Sequence, residues 1–371
     1  MNLKSIFIDE AVENLPIIRD ILDRHAHIPH KIISDASHIH NIIKTHPDPV
    51  ATGKQILYLT KNKGRFIRPC PGTASYICCG YQILHIGTFC FMDCAYCILQ
   101  AYFHPAVLQL FVNHDDMFSE LLSIKSASES FYRIGTGEFT DSLAWDMVLP
   151  LSTMLVDYFS AQNRIALELK TKTIKVEQLA KLSHNRKTIV AWSLNTPAII
   201  KSEESGTTPL DARLKAAAKC QAWGYPLAFH FDPLIEYKGW EEDYKKVIDR
   251  LFQMVDAAGI VWISLGAFRF MPDLKDIVTR RFPGSRLFLG EFVSGLDKKM
   301  RYLKPIRMEM YQRMVEWITS YAPDACIYFC MEDEMVWEKT LGFTPSEKGG
   351  LARMLDRSAA KHCDLKPSVH P

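Results

Sequence analysis

Apolar runs of strand length alternate with segments of helical periodicity after residue 77. The strand-like runs are Tyr81–Ile86, Phe131–Ile134, Ile165–Leu169, Thr188–Leu194, Leu227–Phe231 and Val261–Leu265. The helix-like segments that lie between most of them are Met117–Ile124, Leu143–Phe159, Val176–Leu182, Leu210–Trp223 and Trp240–Ala257. Strands that alternate with helices predict an α/β fold with a parallel sheet, and six such units predict a partial (β/α)6 TIM-type barrel. Its catalytic end is expected at the carboxyl ends of the strands.

The chain on either side of this alternation is assigned to two flanking parts. Residues 1–76 predict an N-terminal α/β extension that packs on the barrel, with a short strand at Ile6–Ile8 and an amphipathic helix over about Asn14–Arg24. The barrel is assigned to residues 77–345. It is followed by a C-terminal segment of helix and strand that ends in a tail over residues 346–371.

Composition and charge place few limits on function. The chain has 371 residues, of which 48% are hydrophobic and 23% are charged, which is ordinary for a globular protein. The formal net charge of +2 neither favours nor excludes a nucleic-acid partner, because binding needs a local basic patch. The N-terminus lacks the apolar segment of a signal peptide, and no apolar run is long enough to span a membrane. We therefore expect a cytoplasmic protein without a membrane partner, whose ten cysteines are not accounted for by disulfides.

Three of the cysteines lie within eight residues, directly after the first strand of the barrel. Cys90, Cys94 and Cys97 are placed on a loop where three thiolates can converge on one soft metal centre. Three protein ligands leave a coordination position open for chemistry, whereas a closed structural site takes four. A structural zinc site with a fourth ligand from the same region is the alternative that the spacing leaves open. The candidates for that ligand are Cys78, Cys79 and His85.

The spacing C-x3-C-x2-C resembles the signature of the radical S-adenosylmethionine (radical SAM) superfamily, and Tyr96 stands where that superfamily usually has an aromatic residue. The resemblance implies a [4Fe–4S] cluster in which Cys90, Cys94 and Cys97 hold three irons and the fourth binds S-adenosylmethionine. It also implies cleavage of that cofactor to a 5′-deoxyadenosyl radical, which abstracts hydrogen from a substrate. An external electron donor of the flavodoxin or ferredoxin type is implied as well.

A longer tract, over roughly residues 85 to 312, resembles the spore photoproduct lyase family. The matching segments are Trp192–Asn195, Gly206–Arg213, Gly224–Leu227, Gly239–Glu242, Phe268–Phe270 and the cluster of Arg301, Tyr302 and Lys304. Members of this family are partial-barrel radical enzymes that split a thymine–thymine adduct in DNA back to two thymines. The resemblance therefore implies a lyase that acts on a thymine-dimer-type lesion in DNA or on a nucleotide-like substrate.

The resemblance assigns cofactor contacts to particular residues. Lys172 and Ser193 match residues that contact S-adenosylmethionine in the family, and Thr140 and Asp141 match a Ser-Asp pair on the same loop. The cofactor-binding set implied in this way also includes Tyr96. The alternatives are a solvated lysine at the end of a strand for position 172 and a satisfied barrel hydroxyl for position 193.

The resemblance also implies a DNA-facing hairpin near residues 291–312. Arg301, Tyr302 and Lys304 match a basic hairpin that approaches the damaged DNA in the family. An equally simple interpretation is a charged surface over residues 298–307, because runs of charge are usually just solvated.

Glu138 marks the main departure from the family. The lyase has a cysteine on the loop after its second strand, whose thiol returns a hydrogen atom to the product radical, and Glu138 takes its place here. A carboxylate does not replace a thiol, because its O–H bond is far stronger than an S–H bond. Ile98 likewise stands where the lyase has a tyrosine associated with the same step. The two departures together predict that this return pathway is missing.

Glu138 also has a positive interpretation. The sequence Gly135-x-Gly137-Glu138 resembles a Gly-Gly-Glu-type motif of radical SAM enzymes, in which the carboxylate holds the methionyl ammonium of the cofactor. The alternative is a barrel-mouth carboxylate that pairs with Lys170 or Lys172. We favour the cofactor role because charged groups at a barrel mouth serve ligands. Glu138 is therefore counted with the three loop cysteines as a catalytic residue.

The cysteines outside the loop are expected to be mostly core residues. Cys78 and Cys79 are adjacent, and on a strand their side chains would point to opposite faces, so the pair is not expected to share one metal. Cys330 and Cys79 are the first candidates to replace the missing hydrogen donor.

Three hypotheses for function remain open at this point. The leading one is an enzyme of the spore photoproduct lyase family with altered chemistry, acting on damaged DNA or a nucleotide-like molecule. The second is a radical SAM enzyme that acts on a peptide or a small metabolite, and the third is a non-enzymatic metal-binding module. Iron with acid-labile sulfide would exclude zinc, and salt-dependent affinity for damaged duplex DNA would separate the first hypothesis from the second. We expect a monomer.

Overall fold

The computed structural model describes residues 2–72, 75–127 and 131–366, so the end of the predicted tail, 367–371, lies outside the described residues. Its strands are β1 Ser5–Asp9, β2 His30–Ile33, β3 Ile56–Thr60, β4 Ile67–Pro69, β5 Gln82–Leu84, β6 Gly87–Thr88, β7 Asp93–Cys94, β8 Leu108–Phe111, β9 Tyr132–Gly135, β10 Ile165–Thr171, β11 Thr188–Ser193, β12 Glu204–Ser205, β13 Leu227–Leu234, β14 Ile260–Ala267, β15 Arg269–Phe270, β16 Phe292–Ser294, β17 Met300–Tyr302 and β18 Ile327–Phe329. Its α-helices are α1 Pro16–Arg24, α2 Ser37–Ile43, α3 Pro49–Gly53, α4 Leu99–Tyr102, α5 His114–Ala127, α6 Leu151–Ser160, α7 Pro197–Glu203, α8 Leu210–Ala222, α9 Trp240–Met254, α10 Pro272–Arg281, α11 Lys304–Tyr321, α12 Glu334–Leu341 and α13 Leu351–His362. Within these ranges, no helix combines the length and apolar character needed to cross a membrane.

The larger sheet forms the predicted partial barrel. Its strand order is β18–β14–β13–β11–β10–β9–β5–β4, in which all neighbours from β18 to β5 are parallel and β4 runs antiparallel to β5 at the edge. Strands β10, β11, β13 and β14 are buried along almost their whole length, which requires packing layers on both faces. Helices α6 and α8 pack against β10, β11 and β13, while α11 and α13 pack against β14. The α/β partial-barrel fold predicted from the sequence is confirmed.

The elements differ from the sequence prediction in three places. The parallel sheet has a further strand, β18, which is only three residues long and pairs with the middle of β14. The predicted helix Leu143–Phe159 is divided into a 3-10 turn and α6, because the carboxylate of Asp146 accepts a hydrogen bond from the backbone amide of Ser152 and Pro150 stands between the two parts. The predicted helix Val176–Leu182 is only a 3-10 turn at Glu177–Leu179.

A smaller sheet gathers the N-terminal strands. Its order is β2–β1–β3–β8–β6, in which β1, β2, β3 and β8 are parallel and β6 is antiparallel to β8. Alternation along β1 sends Ile6 and Ile8 into the core that also fills the barrel, whereas Phe7 packs in a separate small cluster with Ile39 and Tyr58. Because β6 and β8 precede and follow the cysteine loop, this sheet and the barrel hold the loop between them.

The predicted hairpin near residues 291–312 is shorter than expected. Strands β16 and β17 pair antiparallel with Phe292 opposite Tyr302, and β15 adds to the other side of β17. The chain becomes helical at Lys304, where Pro305 occupies the first turn of α11. Residues 304–312 are therefore part of a helix rather than of the hairpin.

Candidate active site at the cysteine loop and the barrel mouth

The loop that carries the three cysteines is held by side chains that bind its backbone. The ammonium of Lys54 donates a hydrogen bond to the carbonyl oxygen of Cys90 at 3.0 Å. The buried amide of Gln100 donates to the carbonyl oxygens of Cys94 and Cys97 at 3.1 and 3.3 Å. All three thiols are free. The protein thus fixes the loop through its carbonyl groups and leaves the sulphur atoms available as ligands.

Arg281 joins this loop to two other parts of the fold. Its guanidinium, whose side chain is only 7% exposed, forms ion pairs with Asp93 on the loop at 3.0 Å and with Asp48 before α3 at 2.9 Å. It also donates to the side-chain oxygen of Gln100. On the opposite side, β7 pairs antiparallel with β12 through Cys94 and Glu204. The position of the loop is therefore fixed by contacts with α10 and with β12, and through Arg281 it is linked to the start of α3.

The three thiols share one electrostatic environment. Burial raises the pKa of the Cys94 thiol well above its ordinary value, Lys172 lowers it, and negative charge on Cys97 or Cys90 raises it further. Burial likewise raises the pKa of Cys90 to about 12. Thiolates in such a place need a cationic partner, and iron binding supplies one. The donor set of three mutually close, free cysteines fits a [4Fe–4S] cluster with one open iron.

The structure gives no support to the zinc alternative. Zinc requires its ligands to converge on a single ion at about 2.0–2.3 Å. In the part of the chain that the structure describes, no group of three His, Cys, Asp or Glu residues is placed to hold a single metal ion. A [4Fe–4S] cluster is less demanding in this respect, because each cysteine binds a different iron. His85, one of the proposed fourth ligands, instead lies between the rings of Phe111 and Phe139.

A buried polar network links the cysteine loop to the end of β11. The hydroxyl of Tyr96 donates to the carboxylate of Glu204, which also forms an ion pair of 2.5 Å with the fully buried guanidinium of Arg213. Arg213 donates in turn to the carbonyl oxygen of Ser193 at 2.9 Å. Burial opposes ionisation of Glu204, yet Lys172, Arg213 and Tyr96 lower its pKa below the ordinary value. The roles of Glu204 and Arg213 were not predicted from the sequence, although Arg213 lies in the segment Gly206–Arg213 that was singled out there.

Asp141 and Thr140, two predicted cofactor contacts, are buried and shape the loop after β9. The carboxylate of Asp141 accepts hydrogen bonds from the hydroxyl of Thr171 at 2.7 Å and from the amide of Lys172 at 2.8 Å. The hydroxyl of Thr140 accepts one from the indole N–H of Trp145 at 2.8 Å. In this structure both side chains are engaged with the protein, and as direct cofactor contacts they remain a prediction.

Lys172, Ser193 and Tyr96 lie on the side of the barrel that faces the cysteine loop. The ammonium of Lys172 is 5.8 Å from the centre of the Tyr96 ring, and its charge acts on the thiol of Cys94. Ser193 ends β11 and is 8% exposed. The structure thus brings these predicted cofactor residues together around the loop. Their contacts with the cofactor remain a prediction.

Glu138 lies at the barrel mouth and pairs with Lys170. Its carboxylate is 3.3 Å from the ammonium of Lys170 and is about one-third exposed, whereas Lys172 is directed elsewhere. Gly137 allows the loop to approach β10 closely, because a Cβ there would fall 2.7 Å from the Cβ of Lys170. A Cβ on Gly135 would instead fall 1.6 Å from the hydroxyl of Tyr81. The ion pair of the alternative interpretation is therefore present, while one side of the carboxylate remains accessible.

The barrel interior contains a charged cluster that sequence reasoning missed. The carboxylate of Glu168 on β10 lies 2.8 Å from the Nε2 atom of His230. It also accepts a hydrogen bond from the indole N–H of Trp262 at 3.3 Å. Burial would raise the pKa of Glu168, but the charge and hydrogen bond of His230 lower it to about 2. The available signal was a glutamate in the middle of the apolar run Ile165–Leu169, where a buried charge needs a partner.

Cys330 lies at the carboxyl end of β18, at the barrel mouth. Its sulphur accepts a hydrogen bond from Arg269 at 3.3 Å, and Arg269 also pairs with Asp232 at 3.1 Å. Burial raises the pKa of Cys330 to about 12, and Glu138 is among the charges that act on it. At neutral pH Cys330 therefore carries its hydrogen within the electrostatic reach of Glu138.

Two of the three DNA-contact candidates are buried. Arg301 pairs with Asp297 at 2.7 Å and lies 3.9 Å from the ring centre of Tyr76. The hydroxyl of Tyr302 accepts a hydrogen bond from the backbone amide of Glu236. Lys304 is more exposed and pairs with Asp333. Arg301 and Tyr302 thus hold the hairpin in place in this structure, and only the ammonium of Lys304 is partly open to solvent.

A curled parallel sheet with a three-cysteine loop after its first strand defines this protein as a radical SAM enzyme. The chain belongs to the spore photoproduct lyase family, because the model of that family, described as Spore photoproduct lyase, matches residues 68–330. This membership confirms a [4Fe–4S] cluster and S-adenosylmethionine as the cofactors.

Individual relatives agree with this assignment. The chain is 25% identical to the spore photoproduct lyase of Bacillus subtilis (strain 168) over 338 residues, which cover 87% of this chain and 97% of that protein. It is 26% identical to the enzyme of the same name from Geobacillus sp. (strain Y412MC61) over 255 residues, which cover 66% of this chain and 74% of the relative. A solved mutant of spore photoproduct lyase with bound AdoMet and dinucleoside spore photoproduct has a TM-score of 0.78 and 22% identity, covering 88% of this chain and 99% of its own. That likeness shows the same fold.

Proposed function

We propose that this chain is a radical SAM lyase that acts on a thymine-dimer-type lesion in DNA or on a nucleotide-like substrate. The observation that carries the proposal is the extent of the family match, which includes both the cysteine loop and the barrel mouth within residues 68–330. The named relatives are spore photoproduct lyases, and one solved relative contains dinucleoside spore photoproduct. A substrate of the same chemical class is the simplest one for a barrel built in this way.

The residues around the loop have separate tasks in this proposal. When bound, the cluster and S-adenosylmethionine supply a 5′-deoxyadenosyl radical. Cys90, Cys94 and Cys97 hold three irons, while Glu138 accepts a charge-assisted hydrogen bond from the methionyl ammonium. Lys172 and Ser193, together with Tyr96, Thr140 and Asp141, line or support the same side of the site. The barrel wall excludes water from the reacting atoms.

Hydrogen return needs a thiol other than the one that the family carries at position 138. We assign this role to Cys330, because it is protonated, lies at the strand ends and is within the electrostatic reach of Glu138. The S–H hydrogen passes to the substrate radical, and one electron and one proton from the external reductant restore the thiol. Cys79 is the weaker candidate because it precedes β5, whereas Cys330 directly follows β18 at the carboxyl ends of the strands.

Lys304 is proposed to contact a DNA phosphate, with Arg301 and Tyr302 shaping the hairpin beside it. An electron donor of the flavodoxin or ferredoxin type would reduce the cluster. The enzyme would work in the cytoplasm as a monomer.

The test is an anaerobic assay for 5′-deoxyadenosine with dithionite as the reductant, after reconstitution with iron and sulfide. Wild type is expected to form 5′-deoxyadenosine, and Cys94→Ala is expected to lose it together with the cluster absorbance. Cys220→Ala is the matched control, because Cys220 is also buried but lies on α8. Stoichiometric zinc and no 5′-deoxyadenosine in wild type would contradict the proposal.

The same assay with dinucleoside spore photoproduct tests the substrate. Wild type is expected to convert the lesion, whereas Cys330→Ala is expected to form 5′-deoxyadenosine but to convert severalfold less lesion. If 5′-deoxyadenosine forms and the lesion is untouched by wild type, the substrate proposal is wrong and the peptide or small-metabolite hypothesis takes its place.

A further inference from the structure

The N-terminal extension contacts the cysteine loop through the side chain of Lys54. This residue directly follows helix α3, and its side chain is only 10% exposed. Its ammonium donates hydrogen bonds to the carbonyl oxygen of Cys90, at 3.0 Å, and to that of Met92. It also lies 3.3 Å from the carboxylate of Asp93. These three partners match the three N–H donors of an ammonium group, so the whole group is directed to the loop that carries the cluster ligands.

Close packing at both ends of α3 fixes the position of Lys54. At the end of the helix, a Cβ on Gly53 would fall 1.5 Å from the carbonyl oxygen of Ala106, so the absence of a side chain permits this approach. Ala106 belongs to the segment that leaves the cysteine loop towards β8. At the start of the helix, Asp48 forms its ion pair with Arg281 at 2.9 Å. Lys54 is therefore held in a defined place relative to the loop.

The contact with Lys54 also orients the backbone of the loop. The backbone amide of Met92 donates a hydrogen bond to the sulphur of Cys90 at 3.5 Å, while the carbonyl oxygen of Met92 accepts one from Lys54. The carbonyl groups thus face the lysine, and an N–H group faces a sulphur that is a cluster ligand. Net charge and hydrogen bonds to the sulphur atoms are among the features that set the reduction potential of an iron–sulphur cluster. Both N–H donors and positive charge favour the reduced state, because it is the more negative one.

Lys54 balances the charges at this end of the loop. Two cations, Lys54 and Arg281, lie against two carboxylates, those of Asp93 and Asp48. Without Lys54 this group carries one negative charge in excess, and Asp93 is the residue directly before Cys94. Both cations are largely buried, so salt and solvent screen their charges less than they would at the surface.

We propose that Lys54 raises the reduction potential of the [4Fe–4S] cluster and so makes the cluster easier to reduce. The step concerned is the transfer of one electron from the external reductant to the oxidised cluster, in which no covalent bond of the protein forms or breaks. The N-terminal extension then contributes to the reaction itself, because it supplies this charge, and does more than pack on the barrel. The inference depends on the cluster and not on the proposed substrate.

The test is a redox titration of the reconstituted protein without S-adenosylmethionine or DNA. The electron paramagnetic resonance signal of the reduced cluster is measured and normalised to the iron content. At the potential where the wild-type cluster is half reduced, Lys54→Met is expected to lower the ratio of reduced to oxidised cluster about tenfold, which is about 59 mV for one electron. Lys54→Arg keeps the charge and is expected to stay within about threefold of wild type. Lys61→Met is the matched control, because Lys61 directly follows β3, is half-exposed and pairs with Asp116 at 3.9 Å.

A second variant tests the sign of the effect. Asp93→Asn keeps the shape of the side chain but leaves Lys54 and Arg281 with one carboxylate fewer, so the ratio of reduced to oxidised cluster is expected to rise about tenfold. A change that only loosened the loop would not reverse the sign, so this variant decides the question even if Lys54→Met holds too little iron to titrate. A wild-type potential in both variants, or shifts of the same sign, overturns the proposal. The expected shifts together with no conversion of dinucleoside spore photoproduct would support it and contradict only the proposed substrate.

Discussion

Glu138 and Lys170 illustrate how a charged pair prepares the barrel mouth for a ligand. Burial would lower the pKa of Lys170, but Glu138, Glu168 and Asp232 raise it above the ordinary lysine range, so its ammonium stays charged. That ammonium holds one side of the Glu138 carboxylate at 3.3 Å and leaves the other side accessible. A positioned carboxylate binds a cationic group with less loss of side-chain entropy than a free one.

Replacing Glu138 by Gln should weaken binding of S-adenosylmethionine. The amide keeps the shape of the side chain but removes the negative charge, and a charge-assisted hydrogen bond contributes about 1.5–3 kcal/mol, which corresponds to a rise in KM of roughly tenfold or more. The measurement is the rate of 5′-deoxyadenosine formation as a function of cofactor concentration. Glu177→Gln, which removes the partner of Lys219 on the surface, is the control. An unchanged KM for Glu138→Gln would assign the carboxylate to the Lys170 pair alone.

The positions of single residues relative to one another could be predicted where a short loop holds them together. Cys90, Cys94 and Cys97 are near one another because the chain brings them there within eight residues. Arg301 was less predictable, because besides its near neighbour Asp297 it contacts Tyr76 and the carbonyl oxygen of Met331, which lie far away along the chain. A basic residue in a charged run has no local signal that distinguishes a solvent-exposed guanidinium from one stacked on a distant ring.

Helix α10 acts on the cysteine loop from outside the barrel. It begins with Pro272 and ends at Arg281, and its last residue reaches Asp93, Asp48 and the side chain of Gln100. Since Gln100 also donates to the loop carbonyl groups, one guanidinium stabilises the loop directly and through a second side chain. The position of α10 therefore bears on how firmly the cluster ligands are held.

Replacing Arg281 by Met should reduce retention of the iron–sulphur cluster. Methionine fills a similar volume but removes the cation that Asp48 and Asp93 share, which leaves Asp93 with Lys54 at 3.3 Å. Both carboxylates are partly exposed, so we expect the loop to be held less firmly while the fold is kept. The measurement is iron and sulfide per chain after reconstitution and gel filtration, with an expected loss of more than half. Arg280→Met is the control. Arg280 is the chain neighbour of Arg281, but its Nε donates to the carbonyl oxygen of Asp276 within the same helix. Equal iron content in the two variants would contradict the role of Arg281.

At the level of elements, the alternating pattern located every strand from β9 to β14 in the barrel sheet and the helices α8 and α9. It missed β18, because three apolar residues are too few to show a period. It also extended one helix across Pro150, where the chain turns so that the Asp146 carboxylate meets the amide of Ser152. Strands with both faces buried can be predicted from apolar runs. The ends of helices depend also on hydrogen bonds between side chains and backbone, which the hydrophobic pattern does not reveal.

One hydrophobic core joins the N-terminal sheet to the barrel. Ile6, Leu57 and Leu108 from the smaller sheet belong to the same buried cluster as Trp145 and Trp192. The cysteine loop leaves the smaller sheet after β6 and returns to it at β8, so both ends of the loop are anchored in this shared core. A common core predicts that the two sheets unfold together rather than as independent domains.

The arrangement of tryptophans allows this cooperativity to be measured. All seven lie at or after position 145, so tryptophan fluorescence reports on the barrel and not on the N-terminal strands. Leu57→Ala, at a fully buried position of β3, is expected to lower the free energy of unfolding by about 2–5 kcal/mol. The loss should appear as the same shift of the denaturant midpoint in tryptophan fluorescence and in far-UV circular dichroism. Leu289→Ala, at a position that is 74% exposed, is the control and should shift neither signal. Two separate transitions, with the fluorescence midpoint unmoved by Leu57→Ala, would mean that the N-terminal sheet unfolds on its own and that the shared core does not couple it to the active site.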